Sequence, residues 1–343
     1  MAFTTIDDPE AYFQCVAWTG NGTDARTITL PGTTNLQPDL IWCKNRSDGE
    51  DHVWMDAVRG FAVNKAMRTN GSDEQGGVGT AARGWVEAAS DGFTCQEGST
   101  NFNLTNASSD TYVAWCWKES ATAGFDMLTF EGNTTARTIS HSLSAVPEWM
   151  LIKGYDQAST FWALYHGANT DAPETDQLYL NSTNATADNA TFWNDTAPTS
   201  SVFSVGTSGH SNPDGDSTMA YLWAGKQGFS KFGSYLGNGN GPMVYTGFSP
   251  AWVLVKNAGG VEAWNIWNNK TPGFNVANKN LQANGNVAEQ TSSAGVKEID
   301  FLANGFKVRG SNTELNESGK TIVYMAFAEA PFVNSNGVPT TAR

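Results

Sequence analysis

A short apolar stretch recurs three times in this chain at nearly constant spacing. The copies are residues 111–119 (Thr-Tyr-Val-Ala-Trp-Cys-Trp-Lys-Glu), 217–223 (Ser-Thr-Met-Ala-Tyr-Leu-Trp) and 321–329 (Thr-Ile-Val-Tyr-Met-Ala-Phe-Ala-Glu). Each is a run of β-branched and aromatic residues behind polar, Gly-containing sequence, which is how a buried strand reads. Trp117 and Trp223 are 106 residues apart, and Trp223 and Phe327 are 104 apart. Each copy therefore closes a unit of about 100 residues, and 343 residues exceed what one ordinary core serves. The spacing predicts three tandem β-sandwich modules, over 1–119, 120–226 and 227–343, in an all-β chain.

Other segments recur in the same order. Gly-Asn turns at 20–21, 132–133 and 237–238 follow the opening strands and read as hairpin turns. Strands from Pro38, Pro147 and Pro250 each run to a lysine six positions on, Lys44, Lys153 and Lys256. Trp54, Trp162 and Trp264 then align, as do Phe93, Phe203 and Phe306. The repeated aromatics read as core, and the lysines as solvated strand ends. A ligand-binding ring of lysines is the sharper alternative. A Gly-rich polar loop is expected at 69–80, and a polar surface tail beyond Ala330.

The closing strands make a geometric prediction. Side chains alternate along a strand, so Val113, Trp115 and Trp117 share one face. With Met219, Tyr221 and Trp223, and Val323, Met325 and Phe327, they are expected to form each module's own core. The opposite face (Tyr112, Ala114, Cys116 and their counterparts) is also apolar. It should be covered by the opposing sandwich layer or a neighbouring module, giving one compact body.

Composition narrows function by exclusion. Net charge is −14, so a basic stripe for phosphate backbones is lacking and nucleic acid is not an expected partner. No 18-residue apolar span occurs, and the N-terminus lacks the basic start and apolar centre of a signal peptide. No membrane insertion is expected, and synthesis in a cytoplasm is.

Cys15, Cys43, Cys95 and Cys116 all lie in the first unit, and their counterparts are apolar: Met127 and Phe232, Ile152 and Val255, Val205 and Val308, Leu222 and Ala326. Cysteine here is a small buried hydrophobe, and free thiols are expected. His52, His141, His166 and His210 have no zinc-like spacing. The acids of 48–51 and 212–217 could bind calcium, though turns select the same residues. No metal or other cofactor is assigned. Paired carboxylates on a strand face, Gly-x-Ser-x-Gly, a P-loop and His-Glu-x-x-His are all missing, so no enzyme is expected. One binding candidate stands out. Phe192-Trp193 lies in a polar loop lengthened only in the second unit, either buried under that loop or, at Trp193, a stacking platform for a sugar or protein.

Taken as a set, Gly-Asn-Gly before Arg-Thr-Ile, residues 38–47, Val-Arg-Gly at 58–60, Ser-Asp-Gly-Phe, and the strands at 111–118 and 323–332 resemble a repeat family of bacteriophage virion proteins. Its members are usually labelled tail-fibre-like and are common in marine phages. The resemblance implies jelly-roll or lectin-like sandwiches in a virion appendage, a tail fibre or adaptor for host attachment. Partners would be other virion proteins, copies of itself and a host surface glycan. The alternatives are a capsid fibre or decoration protein, a carbohydrate-binding module, and a glycan depolymerase, against which the missing acid pairs count.

Overall fold

A computed structural model describes residues 4–77, 83–98, 101, 103–271 and 274–339. Positions 78–80 of the expected Gly-rich loop and 340–343 of the tail lie outside the described residues. The chain is all-β, built from antiparallel sheets.

The first repeat contributes β1 (Phe13–Thr19), β2 (Arg26–Thr29), β3 (Leu40–Asn45), β4 (Val53–Asp56), β5 (Trp85–Ala89), β6 (Gly92–Gln96) and β7 (Thr111–Trp117). They form a large sheet in the order β1-β7-β3-β4 and a small one, β2-β6-β5. The second contributes β8 (Phe125–Glu131), β9 (Arg137–Ser140), β10 (Trp149–Gly154), β11 (Ala163–His166), β12 (Asp176–Tyr179), β13 (Ala187–Asp188), β14 (Val202–Val205) and β15 (Ser217–Trp223). Its sheets are β13-β12-β11-β10-β15-β8 and β14-β9. The third contributes β16 (Ser230–Leu236), β17 (Met243–Tyr245), β18 (Phe248–Asn257), β19 (Asn265–Asn268), β20 (Lys279–Gln282), β21 (Gln290–Thr291), β22 (Ile299–Leu302), β23 (Gly305–Val308) and β24 (Thr321–Pro331). These pair as β16-β24-β18-β19-β20-β21 and β17-β23-β22.

The recurring stretch is thus an internal strand of each large sheet, held between the opening strand and the Pro-to-Lys strand. A strand paired on both edges and covered on both faces has no position for a polar side chain, hence its uniform apolarity. The Gly-Asn turns carry the chain from the large sheet to the small one rather than closing a hairpin. Gly20 and Gly132 are required by proximity: a Cβ there would lie 1.9 Å from the carbonyl oxygens of Ala107 and Pro213 respectively.

The two faces of the closing strand are reversed from the sequence expectation. Tyr112, Ala114 and Cys116 pack with Ile28, Phe93 and Cys95 inside the first sandwich. Ala220 and Leu222 do the same with Phe203 and Val205 in the second. The bulky face, Val113, Trp115 and Trp117, meets Met219, Tyr221, Trp223, Val323, Met325 and Phe327 in one core shared by all three repeats. Indole size explains the reversal. A gap between three converging sheets is wider than the space inside one sandwich, and large rings fill it. Trp117 packs edge-on against Trp223 of the second repeat and Trp252 of the third, with centroids 6.4 and 5.8 Å apart. The void left among the rings is only about 10 Å³, too small for a channel.

Strand registers also correct the internal alignment. Cys43 pairs with Val53, Ile152 with Ala163, and Val255 with Asn265. His52, rather than Trp54, is therefore the counterpart of Trp162 and Trp264.

Candidate functional site: the seams between repeats

The corrected register exposes a closed cycle. His52 Nε2 lies 3.0 Å from the Gln282 carbonyl of the third repeat. Trp162 Nε1 donates to Arg68 O of the first at 2.9 Å, and Trp264 Nε1 to Tyr179 O of the second at 2.8 Å. A second cycle uses backbone alone: Gln75 N donates to Tyr155 O, Thr186 N to Ala258 O, and Glu289 N to Arg46 O, each at 2.8 Å. Equivalent donors meet equivalent acceptors around a ring, so the repeats are related by a pseudo-threefold axis. Heterologous contacts that close after three steps are the geometry of a cyclic trimer, here within one chain.

Lys44, Lys153 and Lys256 lie at one end of the shared core, and all three are fully buried rather than solvated. Among the described residues none of them forms an ion pair. Their ammonium groups donate to backbone carbonyls instead: Lys44 to Asn45 O at 2.6 Å, Lys153 to Thr160 O at 2.9 Å, and Lys256 to Asn257 O at 2.5 Å. Burial pulls each down to about 8. Nothing in this packing leaves the lysines open to a ligand.

The acidic turns are also structural. Asp51 pairs with Arg68 and Arg83, and Glu50 with Arg83. Asp216 accepts from Asp156 N at 2.8 Å, as Asn45 and Asn257 accept from the amides two residues ahead of themselves. Gly154 stands where those asparagines do, and Asp216 from the neighbouring strand replaces the missing side chain. No group of three His, Cys, Asp or Glu among the described residues is placed to hold a metal. All four cysteines are free and buried.

Trp193, the binding candidate of the sequence, is 1% exposed. Its Nε1 donates to Asp176 O at 2.9 Å, and its ring meets Tyr165 edge-on. The lengthened loop folds over its own aromatics, so Trp193 offers no platform. An indole beside a strand end gains more from packing and one hydrogen bond than from facing water.

The surface sites are clefts along the seams. Gln14, Asp126 and Lys231 occupy the same position on the three opening strands, paired with Cys116, Leu222 and Ala326 of the closing strands. Each lines a cleft where its repeat meets the one before. Across that cleft the previous repeat presents Glu329, Glu119 or Gly225. At the third-to-first seam, Gln14 bonds Gly32 N and Thr34 O, leaving only about 20 Å³. At the first-to-second seam, Asp126 is held by Ser142, and Glu119 is pushed up by burial and by the neighbouring Asp126. The second-to-third seam differs. Its cleft, at about 380 Å³ no larger than the 390 Å³ of the first-to-second seam, is set apart by its lining of Glu148, Lys226, Lys231 and Tyr245 beside Gly225. Glu148 accepts from Gly225 N at 3.1 Å, and burial raises it. Lys231 donates to Tyr245 O at 2.8 Å and lies 5.5 Å from the ring centroid.

Sequence reasoning missed this cleft, yet the signal was present. The outward positions Thr29 and Ser140 on β2 and β9 correspond to Tyr245 on β17, and the closing Glu to Gly225.

An all-β, pseudo-threefold assembly of sandwiches with one divergent seam is thus the class of protein that fold and site define. Residues 8–331 match the family described as a domain of unknown function, DUF7483, and the chain belongs to that family. The match runs through all three repeats as one unit. No curated protein and no solved structure matches the chain. No helix among the described residues is long and apolar enough to cross a membrane.

Proposed function

We propose that this chain is a non-enzymatic structural protein of a bacteriophage particle, a tail fibre or tail adaptor component engaged in host attachment. The observation that supports this reading best is the closed cycle of equivalent contacts among the repeats. It gives one chain the symmetry of a trimeric fibre, with a rigid shared core suited to bearing load. The resemblance of the repeated motifs to tail-fibre-like proteins points the same way.

The test is direct. Mass spectrometry of purified particles should find the protein, and Fab labelling should place it on the tail. Labelling of the capsid would favour the decoration reading. A protein absent from particles would overturn both.

A further inference from the structure

The three seams are internal controls for one another, since the same positions of the fold meet at each. Two carry an acid, Glu119 or Glu329, where the second-to-third seam carries Gly225. Two carry Gln14 or Asp126 where that seam carries Lys231. Two carry Thr29 or Ser140 where it carries Tyr245, which is 55% exposed. The first-to-second cleft is as large, at about 390 against 380 Å³, so what the three changes alter is the lining: they remove an acid, add a base and add an aromatic surface. In a chain of net charge −14, a basic seam stands out.

We propose that this cleft binds a carboxylated saccharide. Each part of the ligand has a counterpart. Tyr245 supplies an exposed ring for the apolar face of a sugar. Lys226 forms no ion pair among the described residues, and with Lys231 it places positive charge for a carboxylate. The Glu148 carboxylate supplies a hydrogen-bond acceptor for hydroxyls. The inference rests on the attachment reading for the ligand's place on a host surface, and on the cleft alone for its chemistry.

Calorimetry or saturation-transfer NMR on the full chain tests it with N-acetylneuraminic acid, galacturonate and neutral galactose as probes. At least one acidic probe should bind saturably, and at least tenfold more tightly than galactose. Tyr245→Ala and Lys231→Glu should each weaken it at least tenfold with the melting temperature unchanged, while Thr29→Ala, at the equivalent place in another seam, should change nothing. If Lys231→Glu fails to fold, Lys226→Gln serves, since its expected loss is also tenfold. No binding of either acidic probe, equal binding of galactose, or indifference to Tyr245→Ala would sink the proposal. Particles that carry the protein on the tail while the cleft ignores the probes would leave the attachment reading standing.

Discussion

His52 Nε2 lies 3.0 Å from the carbonyl oxygen of Gln282, which is 230 positions away in the chain. The other ring nitrogen, Nδ1, accepts from Trp42 Nε1 at 2.8 Å, so Nε2 carries the proton and donates. This histidine does for the first repeat what Trp162 and Trp264 do for the others.

Removing any member of the cycle should loosen the whole body. His52→Ala leaves a buried carbonyl and a buried indole N–H without partners, at a cost of about 1–3 kcal/mol each. Trp162→Ala and Trp264→Ala add a cavity, for about 3–5 kcal/mol in total. Urea denaturation should report these losses in one transition. A separate early transition of one repeat would contradict the shared core.

Single repeats should not fold alone. A fragment covering residues 120–226 would expose Trp149, Tyr221 and Trp223, which are buried in the shared core. Its NMR spectrum should show poor dispersion, whereas the intact chain should unfold as one calorimetric unit. A well-dispersed fragment would refute this.

Acid should destabilise the protein through His52 and His166. Burial holds them at about 3 and about 4 against an ordinary value of 6.5. His166 Nδ1 accepts from Ala168 N while Nε2 faces Tyr324 O of the third repeat, so a second proton must break a bond. Below pH 6.5 the unfolded chain takes up protons that the folded one refuses. Stability therefore falls from pH 6.5 towards 4 and levels off near 3. The buried lysines act likewise at higher pH. Their folded values near 8 lie below the ordinary 10.5, so their contribution rises with pH across that window. Melting temperatures measured across both windows check the signs. A protein equally stable at about pH 4.5 and about pH 7 would contradict the histidine argument.

Four thiols should be titratable after denaturation without reductant, and almost none before it. Cys15, Cys43, Cys95 and Cys116 are buried, and burial pushes Cys95 up to about 12. Fast labelling of the native protein would contradict this.

Trp193→Ala should cost about 3–5 kcal/mol, since it removes a buried indole and its bond to Asp176 O. It should leave binding in the second-to-third cleft intact if measured where the variant is folded. An unchanged melting temperature would restore the platform reading.

The sequence by itself determined the local chemistry. Apolar runs fixed the strands, their recurrence fixed three repeats, and apolar counterparts identified the cysteines as packing residues. These follow from alternation and propensity, which act over a few residues. Only the tertiary structure decided which face of the closing strand looks inward. Both faces are apolar, and periodicity cannot tell a sandwich interior from a gap among three sheets. Only register made His52 the partner of Trp162 and Trp264, because a two-residue offset preserves the strand pattern. Only the tertiary structure buried Lys44, Lys153 and Lys256, which donate to carbonyls at their own strand ends and in the loops that follow, such as those of Asp48, Thr160 and Gly260. The divergent seam was written in Gly225, Lys231 and Tyr245, yet these lie up to 20 positions apart, and the fold alone gathers them around one cleft.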